Sequence, residues 1–387
     1  MTSTHSRKQG SAEETGEKNQ DSLRHLFKKD IKQTYHDLRR GDLRRTLRRD
    51  FRDLHDFYID EERRKRLASM GRFKRWIYIA AWLLKSLFFK LTMVRRILLL
   101  ISIILLFAMR SSSDQQGDAS VQFGLPIISF LIILFILMLE LKDKLLAREE
   151  LEVGRTVQLA LLPDRNPTIP GWDIWLYTRP ANDVGGDLVD YLVINENRVG
   201  VALGDVAGKG LGAALLMAKL QATLRALAEN FESLAELGNQ MNRIFCRDGI
   251  ESRFATLVYL ELAPLSGQVR VLNAGHLTPL ALTKNDLIKM SPAALPLGAM
   301  PDAVYTEQHI DLAPGDLLLV YSDGVTEARN EAGAFFGEER LMEILPGLRI
   351  LSVEDAGIRL LSKIDRFIGE ARRYDDISLM LLKRKKN

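Results

Sequence analysis

Hydrophobic and polar residues are unevenly distributed along the chain, and two uncharged apolar runs stand out. Residues 97–109 and 121–139 contain no charged side chain. A helix needs about 20 residues to cross a bilayer, so we predict two membrane spans, at about 97–113 and 121–139. The preceding stretch, 76–93, is apolar but carries two lysines. This pattern favours a helix lying in the membrane interface, with a third span as the alternative.

The charges that flank the two runs indicate their orientation. Arg95 and Arg96 precede the first run, and Lys142 and Lys144 follow the second, whereas the loop between the runs is acidic after Arg110. Basic residues tend to stay on the cytosolic side of a membrane. We therefore expect a protein of the inner (cytoplasmic) membrane, with both termini and the C-terminal domain in the cytosol. A buried apolar hairpin of a soluble protein is the alternative.

The segment before the membrane region is polar and rich in lysine and arginine, although the whole chain has a net charge of only +4. Residues 1–29 lack an apolar stretch, and we expect them to be disordered. Residues 30–75 carry apolar side chains at helical intervals, which predicts a basic amphipathic helical region. This region fits a solvated helix, a membrane-surface helix or a DNA-binding element. It shows no helix-turn-helix pattern, and we expect no nucleic-acid partner.

The two spans and the interfacial stretch together form a predicted membrane region of residues 76–139. Residues 140–163 are predicted to continue the second span as a linker or switch helix. Leu141, Leu145 and Leu151 form an apolar stripe among charged residues. Because one helix cannot bury this stripe alone, we expect it to pair with the same helix of a second subunit in a homodimer. The alternative is that the stripe packs on its own domain.

Residues 164–387 have the mixed patterns of a globular domain. Strands and helices occur in groups instead of alternating strictly, which favours an α+β domain over a doubly wound parallel sheet. The only cysteine, Cys246, excludes an intrachain disulfide. The predicted strands are 172–177, 198–203, 254–262, 268–272, 317–321 and 377–382, and the predicted helices are 213–228, 234–245 and 352–367.

Acidic residues lie where the predicted strands begin or end: Asp187, Asp205, Asp323 and Asp375, with Asp376 beside the last. One such aspartate alone is most often a turn or cap residue. Several carboxylates at one sheet edge, however, raise each other's pKa unless a cation compensates their charge. Oxygen ligands suit Mg²⁺ or Mn²⁺. The set therefore predicts a site for one of these metals.

A glycine-rich segment follows the second of these aspartates and contains Gly204, Gly208, Lys209 and Gly210. It is not a P-loop, because three residues instead of four precede Gly208-Lys209 and no serine or threonine follows. The glycines let a strand turn sharply into the next helix, whose N-terminus favours a phosphate group. Lys209 either helps to hold that phosphate or is solvated.

The segment Asn273-Ala-Gly-His276 contains a histidine at a predicted turn. His276 either positions the loop or acts as a general acid. Because no serine elbow or second histidine accompanies it, the positioning role is favoured.

Six motifs of the C-terminal domain occur in the order of one family. They are Pro180-Ala-Asn-Asp-Val-Gly-Gly-Asp187, Gly204-Asp-Val-Ala-Gly-Lys-Gly210, Asn273-Ala-Gly-His276, Pro296-Leu-Gly298, Tyr321-Ser-Asp-Gly-Val-Thr-Glu-Ala328 and Asp375-Asp-Ile-Ser378. Over about residues 149–382 the chain resembles the sporulation stage II protein E (SpoIIE) type of bacterial serine phosphatase. That family belongs to the metal-dependent, type 2C-like (PPM) phosphatases and includes regulators of environmental-stress sigma factors.

The resemblance implies a central β-sandwich flanked by helices, with two Mn²⁺ or Mg²⁺ ions at one end. Carried over by motif, Asp187, Asp205, Asp323 and Asp375 would be the catalytic and metal-binding acids. Asp376 would be a further metal-binding residue, and the backbone carbonyl of Val206 would complete the site. Gly186, Gly204, Gly208, Lys209, Gly210 and Gly324 would form the site loops, and Asn273 and His276 would support them.

The resemblance also implies a metal-activated water as the nucleophile and no phosphorylated enzyme residue. The expected substrate is phosphoserine or phosphothreonine on a regulatory protein, such as a STAS-like anti-anti-sigma factor, and the linker helix would be a regulatory switch. Leu188-Val189 replaces an aromatic pair, and Ala207 replaces a serine, but neither departure removes a ligand. The alternative is a catalytically inactive scaffold that keeps the fold and binds a signalling partner.

Overall fold

The computed structural model of the chain describes residues 71–112, 119–163, 165–249, 253–264, 266–284, 286–291 and 294–385. The predicted disordered segment 1–29 and most of the predicted basic helical region 30–75 lie outside these residues. The chain divides into two compact units, Met1–Leu141 and Lys142–Asn387.

The described part of the first unit is helical. Its helices are α1 (Arg72–Lys90), α2 (Met93–Ser112) and the beginning of α3, which runs from Ala119 to Leu161 and continues into the second unit. Helix α1 covers most of the predicted interfacial stretch. The predicted spans at 97–113 and 121–139 fall on α2 and α3, and that these helices cross a membrane stays a prediction.

Helices α2 and α3 contact each other in antiparallel fashion through polar side chains. The hydroxyl oxygens of Ser102 and Ser129, both fully buried, lie 2.8 Å apart. At one end of the pair, Arg95 Nη1 donates to Glu140 Oε1 at 2.6 Å. Side-chain hydrogen bonds of this kind hold apolar helices together where water is absent.

Within the described residues, one helical stretch is long and apolar enough to be a candidate for crossing a membrane: Leu211–Asn230. It belongs to the second unit, where Met217, Leu220 and Leu224 pack in the core of the domain. Its apolar character is therefore explained by packing.

The second unit is built on two antiparallel five-stranded sheets. One sheet has the order β1-β10-β9-β6-β7 and the other the order β2-β3-β4-β5-β8. The strands are β1 (Trp172–Arg179), β2 (Leu188–Asn195), β3 (Arg198–Val206), β4 (Ala255–Leu262), β5 (Gln268–Ala274), β6 (Leu280–Leu282), β7 (Leu287–Lys289), β8 (Glu307–Asp311), β9 (Leu317–Tyr321) and β10 (Ile377–Arg384).

Helices cover the outer faces of the sheets. Helices α4 (Leu211–Leu227) and α5 (Leu234–Arg247) pack on the β2–β3–β4 face, and α7 (Gly337–Ile344) and α8 (Val353–Ile368) pack on the β1–β10–β9 face. The short helix α6 (Asp323–Thr326) follows β9, and 3₁₀ turns occupy Ala228–Asn230 and Leu345–Leu348. Ser233 and Ser352 cap α5 and α8, since each side chain accepts a backbone N–H three residues later.

Three apolar layers follow from this arrangement. Val201, Val258 and Met380 belong to the cluster between the two sheets. Residues that alternate with them, such as Ala202, Tyr259 and Leu381, face the helices. Because both faces of the central strands are covered, these strands are apolar on both sides. The predicted α+β class with helices around β-sheets is confirmed.

Most predicted elements of this unit form within a few residues of the expected bounds, but β2 was not predicted. Its third residue, Asp190, is completely buried and pairs with Arg225, with Nη2 and Oδ1 2.6 Å apart. This charged residue in the interior interrupts the apolar pattern of the strand. The short strands β6, β7 and β8 were also not predicted.

Candidate active site

The predicted site aspartates lie at one edge of the two-sheet domain, each at a strand end. Asp187 directly precedes β2 and Asp205 is near the end of β3, while Asp323 follows β9 and Asp375 precedes β10. Leu188 pairs with Gly204, and Tyr321 pairs with Leu379. Antiparallel pairing therefore places Asp187 opposite Asp205 in one sheet and Asp323 close to the start of β10 in the other.

The carboxyl groups lie close enough to affect each other's ionisation. Burial, and then the negative charges of Asp205 and Asp376, raise the pKa of Asp187 well above its usual range. Burial, followed by the charge of Asp323, raises the pKa of Asp205 to about 7. Burial and the charge of Asp375 raise the pKa of Asp323 to about 6. The edge therefore brings together more carboxyl groups than its Lys209–Asp375 ion pair offsets.

The chemistry of these donors fits an oxygen-liganded divalent cation. Asp187 is 5% exposed, and its Oδ2 atom is buried without a hydrogen-bond partner among the described residues. Such an atom is costly unless an ion or a polar group meets it. Over the same residues, no three His, Cys, Asp or Glu side chains are already grouped as metal ligands. The raised pKa values indicate that the aspartates lie near one another. To bind one ion together, their carboxylate groups would have to turn toward it.

Asp376 has a different set of contacts from the other acids. Its Oδ1 accepts the Ala181 N–H at 2.7 Å, and its Oδ2 accepts the Gly186 N–H at 2.6 Å. Both carboxylate oxygens are therefore used to hold the loop that carries Asp187. This geometry favours a positioning role for Asp376.

Lys209 and Asp375 form an ion pair across the site edge. Lys209 Nζ lies 2.9 Å from Asp375 Oδ2 and donates to the Tyr374 carbonyl at 2.6 Å. Lys209 is more than half exposed. This ion pair shows that Lys209 is not simply solvated, and its contact with a phosphate stays a prediction.

Other groups approach two site glycines closely, and at Gly324 the approach leaves no room for a side chain. A Cβ on Gly324 would overlap the Asp376 carbonyl oxygen, and one on Gly186 would lie 3.3 Å from the Val206 carbonyl oxygen. The Val206 carbonyl therefore lies beside the Asp187 loop. Gly208 and Gly210 have φ angles of 119° and 72°, which glycine adopts at little cost, and they turn β3 into α4.

His276 joins the two sheets behind the acids. Its Nε2 lies 3.2 Å from the Tyr321 carbonyl, which only accepts, so Nε2 carries the proton and Nδ1 accepts from the Thr256 hydroxyl at 2.8 Å. Thr256 also contacts the Asp205 backbone, and Asn273 Oδ1 accepts the His276 N–H. Burial lowers the pKa of His276 to about 4. These contacts favour positioning over general acid catalysis.

Gln158, which sequence reasoning missed, connects helix α3 to the site loop. Its side-chain amide donates to the Gly185 carbonyl at 2.7 Å and accepts the Gly185 N–H at 3.0 Å. The residue is buried, and Leu161 at the helix end accepts a hydrogen bond from Gln221 of α4. The sequence signal that could have identified Gln158 is its place as a polar residue on the apolar side of the helix.

Residues 195–385, which include Asp205, Asp323 and Asp375, match the family model of Stage II sporulation protein E (SpoIIE). We call the domain that contains these residues the SpoIIE-type domain, after the family model that it matches. The predicted resemblance to that family is therefore confirmed.

Curated relatives extend the match of the SpoIIE-type domain toward the linker helix. Protein IcfG of Synechocystis is 29% identical over 277 residues, which cover 63% of this chain and 43% of that protein. Phosphoserine phosphatase RsbU of Bacillus subtilis is 26% identical over 240 residues, which cover 62% of this chain and 71% of the relative. The chain thus spans less than half the length of Protein IcfG.

Among solved structures, the SpoIIE-type domain is similar to the SiaA-PP2C domain of Pseudomonas aeruginosa. The match has a TM-score of 0.55 at 20% identity and covers 63% of this chain and 99% of that domain. At this identity the likeness shows a shared PP2C-like fold.

Proposed function

We propose that this chain is a metal-dependent protein-serine/threonine phosphatase. The observation that carries the proposal is the convergence of Asp187, Asp205, Asp323 and Asp375 at one edge of the domain. Within the described residues, Asp187 Oδ2 is buried there without a hydrogen-bond partner. Residues 195–385 of this domain match the SpoIIE family model. The relative named phosphoserine phosphatase RsbU supports the same activity.

In this proposal the four aspartates and the Val206 carbonyl would hold two Mn²⁺ or Mg²⁺ ions. Such ions supply a water of lowered pKa and neutralise phosphoryl oxygens. Asp376 holds the Asp187 loop through its backbone amides, and His276 fixes the ends of β3 and β9. These contacts would hold the backbone that carries the proposed ligands, while the carboxylate side chains would still turn toward an ion.

Hydrolysis would join a water oxygen to phosphorus and break the bond from phosphorus to the seryl oxygen, which leaves with a proton. The serines nearest the acids are poor candidates for a covalent nucleophile. Ser322 and Ser378 are fully buried, and Ser322 Oγ donates to the Asp376 carbonyl while Ser378 Oγ lies 2.8 Å from the Thr178 hydroxyl. Direct attack by water agrees with these contacts.

The proposed substrate is a phosphoserine or phosphothreonine on a regulatory protein, with a STAS-like anti-anti-sigma factor as the specific candidate. The relative RsbU is named a phosphoserine phosphatase, which supports a phosphoserine substrate. The chain would thereby belong to sigma-factor regulation.

We further propose that the enzyme is anchored in the cytoplasmic membrane, with its SpoIIE-type domain in the cytosol. Large apolar side chains on α2 and α3, including Ile104, Phe107, Phe130 and Leu137, are exposed. Apolar faces of this kind are costly in water and suit a lipid environment.

The proposed homodimer would form through residues 140–163. Leu145 and Val157 on α3 are 56% and 58% exposed, whereas Leu151 is partly buried and Gly154 approaches Leu211 and Val184. One side of the helix thus packs on its own domain, and another stays open for a second copy.

The test uses the full-length chain in detergent with a phosphoserine peptide. We expect hydrolysis with Mn²⁺ or Mg²⁺, complete loss in excess EDTA, and a loss of at least about 100-fold in Asp205→Asn and Asp323→Asn, because each removes a ligand charge. Asp302→Asn, at an exposed position, should stay within twofold of wild type. Full turnover in EDTA would exclude the metal mechanism. Peptide binding without hydrolysis would favour the inactive scaffold.

A further inference from the structure

Arg253 lies just before β4, against the glycine-rich loop that follows Asp205. The backbone pairing of β3 and β4 extends beyond the strands, because Ala207 N–H donates to the Phe254 carbonyl at 2.9 Å. The guanidinium reaches the loop itself. Its Nη1 lies 2.6 Å from where a Cβ on Gly212 would be and 3.5 Å from where one on Gly208 would be.

The loop that Arg253 contacts is part of the acidic edge. Ala213, which follows Gly212, lies 3.5 Å from where a Cβ on Gly186 would be. Gly186 directly precedes Asp187 in the chain. Arg253 therefore contacts the segment that packs against the Asp187 loop and that begins at Asp205.

The two basic residues at this loop are in different electrostatic situations. Lys209 is paired with Asp375 and with the Tyr374 carbonyl. Arg253 Nη1 is shielded from solvent and has no hydrogen-bond partner among the described residues, although the side chain as a whole is partly exposed. A buried donor without an acceptor is unfavourable and is uncommon in folded proteins. Arg253, unlike Lys209, thus keeps a donor that no described residue uses, and the partly exposed side chain would have to turn to bring this donor to an incoming anion.

We propose that Arg253 binds the phosphoryl group of the substrate. This inference rests on the proposed phosphatase function. The planar guanidinium presents its N–H groups as a fork that matches two phosphoryl oxygens. Donation from Arg253 would orient the phosphorus beside the aspartates and provide an acceptor for the unpartnered nitrogen.

Gly212 provides the space that this role requires. A methyl group at that position would meet the far end of the Arg253 side chain and displace the guanidinium. Because that end is flexible and Gly212 lacks a positive φ angle, Gly212→Ala should keep the fold. The glycine and the arginine therefore form a pair in which either change should weaken phosphate binding.

The experiment measures inorganic phosphate binding and turnover on the full-length chain in detergent with Mn²⁺. Calorimetry gives the Kd for phosphate, and para-nitrophenyl phosphate gives KM and kcat. We expect Arg253→Gln and Gly212→Ala to raise both the Kd for phosphate and KM by about tenfold or more, with kcat changed less. For Arg253→Lys, the Kd for phosphate and KM should lie between those of the two variants and those of the wild type. Arg243→Gln, which removes an exposed arginine of α5, should leave both constants within twofold.

Phosphate Kd and KM within twofold of wild type in folded Arg253→Gln would overturn the proposal. An equal weakening by Arg243→Gln would also overturn it, because general charge would then explain the effect. If the wild type binds phosphate but does not turn over, the phosphatase function fails while calorimetry still decides the role of Arg253. The thermal midpoint of each variant identifies any that do not fold, and Arg253→Lys then carries the comparison.

Discussion

At the residue scale, the site combines groups that a soluble core normally avoids. Asp187 is buried, and one of its carboxylate oxygens has no hydrogen-bond partner in the part of the chain that the structure describes. The pKa values of Asp205 and Asp323 are raised to about 7 and about 6. Burying carboxylates together destabilises the fold unless their charge is reduced by a proton or a cation. The acidic edge therefore lowers the stability of the metal-free fold, and in the proposed enzyme a bound cation would offset this loss.

This conflict predicts an unusual pH dependence for the metal-free protein. A carboxyl whose folded pKa is raised adds stability that is complete below its unfolded pKa and is lost as the pH rises through the folded value. With Asp205 at about 7 and Asp323 at about 6, the protein in EDTA should become more stable from pH 8 to pH 6. The expected gain is at most about 1.4 kcal/mol per pH unit for each proton bound.

The measurement is the unfolding midpoint in EDTA across this pH range. Asp205→Asn should raise the midpoint at pH 8 and flatten the profile. Mn²⁺ should raise the midpoint most at pH 8, where the carboxylates are charged. His276, with its pKa lowered to about 4, should partly offset this gain below about pH 6.5, because its neutral folded form loses stability as acid protonates the histidine of the unfolded chain. A wild-type profile in EDTA that falls from pH 8 to pH 6 would contradict this account.

Sequence reasoning located the acidic residues but not the roles of their neighbours. Strand-end aspartates are visible as a pattern, and Asp187, Asp205 and Asp323 do lie near one another. The use of Asp376 to hold backbone amides depends on which way its carboxylate points. The position of the Arg253 guanidinium likewise depends on its close approach to Gly212, 41 positions earlier in the chain. No local sequence pattern predicts this approach.

At the element scale, α3 carries different contacts on different sides. Gln158 binds both backbone polar groups of Gly185, two residues before Asp187. Leu145 and Val157 are exposed on the same helix. A change in the position of α3 would therefore act on the Asp187 loop through Gln158, which gives the proposed switch a physical route.

We accordingly predict that Leu145→Asp weakens self-association of the full-length chain in detergent by at least about tenfold and changes turnover with it. A charge at a paired helix position cannot be buried without a partner. Gln158→Leu should change turnover at unaltered self-association, because it removes the contact to Gly185 alone. Ala147→Asp adds the same charge at an exposed position on the opposite side of the helix from Leu145. This variant should change neither self-association nor turnover.

Sedimentation velocity and kinetics on the same preparations check these outcomes. If the wild type is monomeric and its turnover does not respond to Leu145→Asp, the helix is a tether and the dimer proposal fails. The helix itself was predictable, because apolar residues recur at helical spacing. Its contact with Gly185 was not, because glutamine at position 158 could equally have been solvated.

At the scale of the whole molecule, the chain joins a helical unit with exposed apolar residues to a SpoIIE-type domain with a closed apolar core. Hydropathy was sufficient to separate these two parts, because uncharged runs of this length are rare in soluble domains. Leu211–Asn230 shows where hydropathy alone misleads. Its apolar residues are explained by packing on β-strands, which composition does not reveal.

The predicted topology places residues 111–122 outside the cell and both termini in the cytosol. The physical reason is that Arg95, Arg96, Lys142 and Lys144 flank the two apolar runs on one side, where moving them across the bilayer would be costly. Cys246 is the only native cysteine, so Cys246→Ser provides a background without thiols. In that background Gln116→Cys should react with a membrane-impermeant maleimide on intact cells.

Thr4→Cys and Asn387→Cys, made in the same background, should react only after the cells are permeabilised. This pair controls for access, since both should label fully in detergent. Labelling of either terminal cysteine on intact cells would place that end outside and contradict two spans. Labelling of both terminal cysteines, with Gln116→Cys protected, would invert the orientation and leave the SpoIIE-type domain on the side of the membrane where a cytosolic phosphoprotein could not reach it.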